Sequence, residues 1–152
     1  MKSKIEFGRQ GNFLLSILLI YFVFYGYVCN VFEETIGKRV LFLYQVLFNP
    51  TSFFSLIILM AIVFIMVFRE QFFEYGIRNS FWLTPIIIGI SWFWYWFIND
   101  FNFSFFTWYF ISIETYITIA SLFCINILTA IIAATAKEKY KIYKEKLQTI
   151  EV

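Results

Sequence analysis

Four long apolar runs dominate this chain, and almost every charge falls between them. The runs cover residues 12–32, 51–68, 81–98 and 105–136, and within them the only charged side chain is Glu114. A membrane-crossing helix needs about 20 mainly apolar residues, with a range of about 17–25. Each run meets that length, so the pattern predicts an all-α integral membrane protein with four transmembrane helices in one membrane domain. Residues 1–11 then form the N-terminal arm. Residues 33–50 form a longer outer loop, 69–80 a middle loop, 99–104 a short outer loop and 137–152 a helical tail. Pro50 sits just ahead of the second run, and Pro85 falls in the first turn of the third, positions where a helix tolerates proline.

Within 33–50, residues 40–48 are apolar but too few to cross. They read as an interfacial segment lying in the headgroup layer, or as a surface for an external or laterally arriving partner. The first run is longer than the roughly 7–15 apolar residues of a cleavable leader, and no small-residue cleavage site follows it, so it is expected to stay as an anchor. No repeat of fixed period and no Pro-, Gly- or Ser-rich linker divides the chain.

Composition agrees. Hydrophobic residues make up 61% and charged residues 14%, against about 45–50% and about 25% in soluble domains. Orientation follows from the basic residues. With four crossings, Lys2, Lys4, Arg9, Arg69, Arg78, Lys137, Lys139, Lys141, Lys144 and Lys146 share one side, and only Lys38 and Arg39 lie on the other. That asymmetry predicts cytoplasmic termini, and with such short loops a bacterial inner membrane.

Several activities drop out. The net charge of +2, without an Arg-rich groove or zinc spacing, argues against nucleic acid. Histidine is absent, which removes His-ligated haem, His zinc sites and His general bases together. No nucleophile elbow, HExxH or phosphate loop occurs. Cys29 and Cys124 lie at different depths without a C-x-x-C, and read as apolar filler. The expectation is a protein with no catalytic residues, no cofactor and no metal.

Three groups of residues remain. Glu114 lies near the outer headgroups, counting back from Lys137, and reads either as an acid favoured by a helix start or as a functional carboxylate. At about 100° per residue it shares one face with Thr115, Thr118, Ser121, Asn126 and Thr129. Such a stripe hydrogen-bonds to neighbouring helices, or lines a hydrated path. The aromatic run 91–100 reads as an interfacial belt or as a stacking surface, and Trp94, Trp96, Asp100 and Phe103 are the candidates for outer-leaflet recognition. In the tail, Tyr140, Tyr143, Leu147 and Ile150 recur at spacings of three and four among lysines, a stripe for anionic lipid or for a partner helix.

The junction "IRNSFWLTPIII" at 77–88 carries a family likeness. With Arg69, Arg78, Phe81, Trp82, Pro85 and the 99–103 loop, the layout resembles the immunity proteins against pore-forming colicins of the A, B and N type. The family's threonine pair followed by Ala-Gly is not present between the third and fourth runs. The resemblance implies recognition of a toxin's pore-forming helices within the bilayer, by helix–helix contact and without chemistry. Two other functions fit the residues: a small accessory subunit of a larger membrane complex, and a homo-oligomeric ion or small-molecule conduit. The expected partners are the lipid bilayer and another membrane protein or membrane-inserted toxin helices.

Overall fold

The computed structural model describes residues 2–31, 41–70 and 72–151. Among them are helices and turns but no strand. The first crossing is a helical rod in three parts: α1 (Lys2–Leu19), a π-helical stretch (Ile20–Phe24) and α2 (Tyr25–Val31). A short helix α3 (Phe42–Phe48) leads through a 3-10 turn (Pro50–Ser52) into α4 (Phe53–Arg69). Then come α5 (Phe73–Ile98), α6 (Phe105–Ile111) and the long α7 (Ile113–Ile150). Among the described residues, four helical stretches are long and apolar enough to cross a membrane, Gln10–Val31, Pro50–Arg69, Phe73–Ile98 and Ile113–Ile150. The chain is an all-α integral membrane protein.

The π-helical stretch has a visible reason. Ser16, Ile20, Phe24 and Val28 are all buried and recur every fourth residue. At 3.6 residues per turn each step of four overshoots by about 40°, so three steps would carry the last side chain well off the face. The wider turn absorbs that drift and keeps one face inward. It also turns Tyr25 inside, where its hydroxyl donates to the Ile87 carbonyl at 2.5 Å and ties the first crossing to α5.

At the start of α4, Asn49 Oδ1 accepts from the Thr51 amide at 3.1 Å, and Pro50 takes the first position, where no donor is needed. The Ser52 hydroxyl donates to the Val46 carbonyl and fastens α3 to α4. Helix α3 buries Phe42, Leu43, Val46 and Leu47 against α4, α5 and α7. The described part of the segment 40–48 is a short helix that turns one face into the bundle, because its apolar residues repeat at helical spacing. Its first residue, like Lys38 and Arg39, lies outside the described residues.

Two expectations change. The middle loop at 69–80 is largely helical, since α5 begins at Phe73, so Pro85 stands well inside a helix rather than in its first turn. Membrane helices accommodate this because neighbouring groups re-satisfy the freed backbone. The fourth run is not continuous from 105: the backbone is extended at Ser112, with ψ 132°, which separates α6 from α7.

Helix α7 packs along α4 and α5 through Thr129, Ala130, Ala133 and Ala134, all buried. In the middle of this contact Asn126 Nδ2 donates to Thr84 Oγ1 at 2.8 Å, both residues fully enclosed. At the other contact of α5, a Cβ placed on Gly76 would stand 2.9 Å from Val67 Cγ1. Only glycine lets α4 and α5 approach so closely there.

Two outcomes follow. In a double-mutant cycle of Asn126→Leu with Thr84→Val, reversible unfolding in bicelles should give a coupling of about 0.6–1.7 kcal/mol, the range for interhelical hydrogen bonds in membranes. Gly76→Leu should destabilise by about 1–3 kcal/mol through overpacking, and Val67→Ala in the same chain should restore part of the loss.

Candidate functional site

The polar stripe of the fourth run divides when folded. Thr115, Thr118, Asn126 and Thr129 are buried, Ser121 is half-buried and Glu114 is exposed. The Thr118 hydroxyl donates to the Glu114 carbonyl at 2.8 Å and the Thr129 hydroxyl to the Ile125 carbonyl at 2.7 Å. These are local bonds, each from a hydroxyl to the carbonyl four residues earlier in its own helix. With Asn126 on Thr84, four of the six candidate side chains serve the contacts inside one chain.

Glu114 stands apart. It lies in the first turn of α7, where the helix dipole favours an acid. The break at Ser112 positions it. There the Thr115 hydroxyl bonds the Tyr109 carbonyl across the break, and the Tyr116 hydroxyl donates to the Phe110 carbonyl at 2.9 Å. So α6 is held at the head of α7. Between this corner and α3 lies a cleft of about 770 Å³ whose lining includes Tyr44, Gln45, Asn49, Trp108, Ser112 and Glu114. Trp108 is 71% exposed, and the neighbouring Ile111 and Ile113 are 70% and 74% exposed. The cleft thus has a mixed lining, with the amides of Gln45 and Asn49, the Ser112 hydroxyl and the Glu114 carboxylate beside the apolar Leu41, Phe48 and Trp108.

The aromatic end of α5 is packed more than displayed. Trp94 stacks on Tyr21 with centroids 6.3 Å apart, and Trp96 meets Phe101 at 4.5 Å and Phe103 at 5.3 Å. Both indole nitrogens are buried with no hydrogen-bond partner among the described residues. Asp100 and Phe101 take φ of 51° and 58°, a left-handed conformation that costs about 1–2 kcal/mol per residue for a side chain other than glycine. The turn is held by the Phe101 amide on the Trp96 carbonyl at 3.0 Å and by the edge-on Phe101 ring. Asp100 and Phe103 remain the exposed members, Phe103 at 65%.

A cluster at the opposite end was not singled out by sequence. Glu70, at the end of α4, is buried, and its Oε1 accepts from Asn79 Nδ2 at 3.2 Å. Lys137 Nζ donates to the Glu70 carbonyl, where the last carbonyls of a helix need donors. Burial, and then the charge of Lys141, hold the Lys137 ammonium below its ordinary range, while Glu70 pulls it back up. Nothing in the spacing of residues 70, 79 and 137 could have announced the cluster, because it forms only when α4, α5 and α7 meet. Beyond it the tail residues Tyr140, Tyr143, Leu147 and Ile150 are all exposed. Among the described residues no group of three or more His, Cys, Asp or Glu side chains converges. No protein-family model, curated protein or solved structure matches this chain.

Proposed function

We propose that this is a non-catalytic protein that recognises another membrane-inserted helix laterally, in the manner of an immunity or exclusion protein against a pore-forming toxin. The observation that carries this reading is the cleft between α3 and the α6–α7 corner, where Leu41, Phe48 and Trp108 supply apolar surface beside Gln45, Asn49, Ser112 and Glu114. A helix arriving through the bilayer needs an apolar surface to approach and a few polar groups to fix its register. The cleft has both. The distribution of lysine and arginine supports a bacterial inner membrane with cytoplasmic termini, which puts the cleft on the outer side, where a toxin would enter. The resemblance in layout to colicin immunity proteins points the same way.

A second reading, an accessory subunit, is favoured by the exposed apolar stripe of the tail. The conduit reading is weaker, since most of the polar stripe is engaged inside a single chain.

Expression of this chain in a sensitive host should raise survival at least about tenfold on challenge with its cognate pore-forming toxin, the A-, B- and N-type colicins being tried first. Trp108→Ala with Phe48→Ala, both in the cleft lining, should abolish protection, while membrane insertion and abundance stay unchanged. A native mass that shows a fixed complex with other membrane proteins of the host, and no protection, would replace this reading by the subunit.

A further inference from the structure

Helix α7 runs unbroken from Ile113 to Ile150, and no proline or glycine lies within it. Nothing in the sequence gives it a hinge. About 20 of its residues suffice to cross the hydrocarbon. From Lys137 onward it therefore continues into water along the same axis, for roughly 20 Å at 1.5 Å per residue. Every residue from Glu138 to Ile150 is exposed.

On this projecting part Tyr140, Tyr143, Leu147 and Ile150 follow spacings of three, four and three, the a and d positions of two heptads. At about 100° per residue they lie within roughly 80° of one another. The charges are sorted around that seam. Lys137 and Lys144 fall at e, Lys139 and Lys146 at g, while Glu138 and Glu145 both fall at f, on the far side. Phe68 touches the seam at its membrane end, with its ring 6.1 Å from that of Tyr140.

Three occupants could cover such a seam. A lipid surface requires the helix to lie flat, which an unbroken continuation of a crossing helix cannot do. A second copy in the same membrane must run parallel, and that sets Lys139 against Lys144 of the other copy. Lys146 meets Glu151 of the other copy only at the helix cap, so a parallel pair leaves Lys139 and Lys144 opposed, whereas an acidic helix would neutralise all the flanking lysines. An acidic helix meets neither objection. We propose that the tail is a docking seam for an amphipathic helix of another protein, with apolar residues at a and d and Asp or Glu at the flanking positions. The inference goes beyond the toxin reading and stands without it.

The test uses the full chain in phosphatidylcholine nanodiscs and two labelled synthetic helices of about three heptads, both with Leu at a and d. One carries Glu at e and g, the other Lys. Fluorescence anisotropy should show saturable binding of the Glu peptide, at least about tenfold tighter than the Lys peptide and weakened by raising salt from about 50 to 500 mM. Tyr143→Asp with Leu147→Asp should abolish it without changing helix content by circular dichroism. Equal affinity for the two peptides, or no saturable binding, overturns the proposal. So does a blue-shifted emission, in phosphatidylserine discs without peptide, from a solvatochromic label on Leu147→Cys in a Cys29→Ser, Cys124→Ser chain, since that places the seam on lipid. A disulfide forming between Tyr143→Cys copies in that same cysteine-free background also overturns it, in favour of a second copy.

Discussion

In lipid, helices gain nothing hydrophobic by leaving the tails for one another, so this bundle depends on how closely α7 can approach α4 and α5. The close approach comes from side-chain size. Thr129, Ala130, Ala133 and Ala134 present little bulk at the contact, and Gly76 gives α5 the same closeness to Val67 on α4. Many short-range contacts then add up, each worth only about 0.1–0.2 kcal/mol. Register is a separate matter, because a smooth face of alanines can slide. The Asn126–Thr84 hydrogen bond fixes it, since any shift along the axis would leave both polar groups bare in a dry interior.

That arrangement decides what is left for function. Asn126 Nδ2 bonds Thr84, and the Thr118 and Thr129 hydroxyls bond their own helix, so these buried groups hold the helices rather than face outward. What remains outward lies at the two ends. One is the corner made by the break at Ser112, where Glu114 and Trp108 border the cleft with α3. The other is the tail beyond Lys137, whose ammonium on the Glu70 carbonyl anchors it to the end of α4. The break and the anchor stand at opposite ends of one helix. A change that loosened the Asn126–Thr84 register would disturb both.

The sequence carried the helical class, since uncharged runs of about 20 residues have few other solutions. It also placed Thr115, Thr118, Asn126 and Thr129 on one face, and that face is buried. It could not show the break at Ser112, because the residues on either side are equally apolar and the extended backbone is held by Thr115 reaching Tyr109 after folding. Pro85 misled in a similar way. A proline ordinarily marks a helix start, and here the helix begins at Phe73 because Gly76 and Ser80 form a buried face with the α4 end. The Glu70–Asn79–Lys137 cluster joins residues far apart in the chain, and no local pattern encodes it.

The two halves of α7 follow opposite physics, and their residues differ accordingly. Inside the bilayer, large apolar side chains bring no gain at a helix contact, and the contact face is threonine and alanine. In water each square ångström of apolar surface removed from solvent stabilises by about 25 cal/mol, and there the stripe is tyrosine, leucine and isoleucine. An isolated helix of this size is marginal in water, but this one is propagated from a crossing helix that is already formed, so it meets no nucleation cost. The four lysines beside the stripe keep it soluble and set against its own copy. They leave the seam's apolar surface open to a helix of opposite charge.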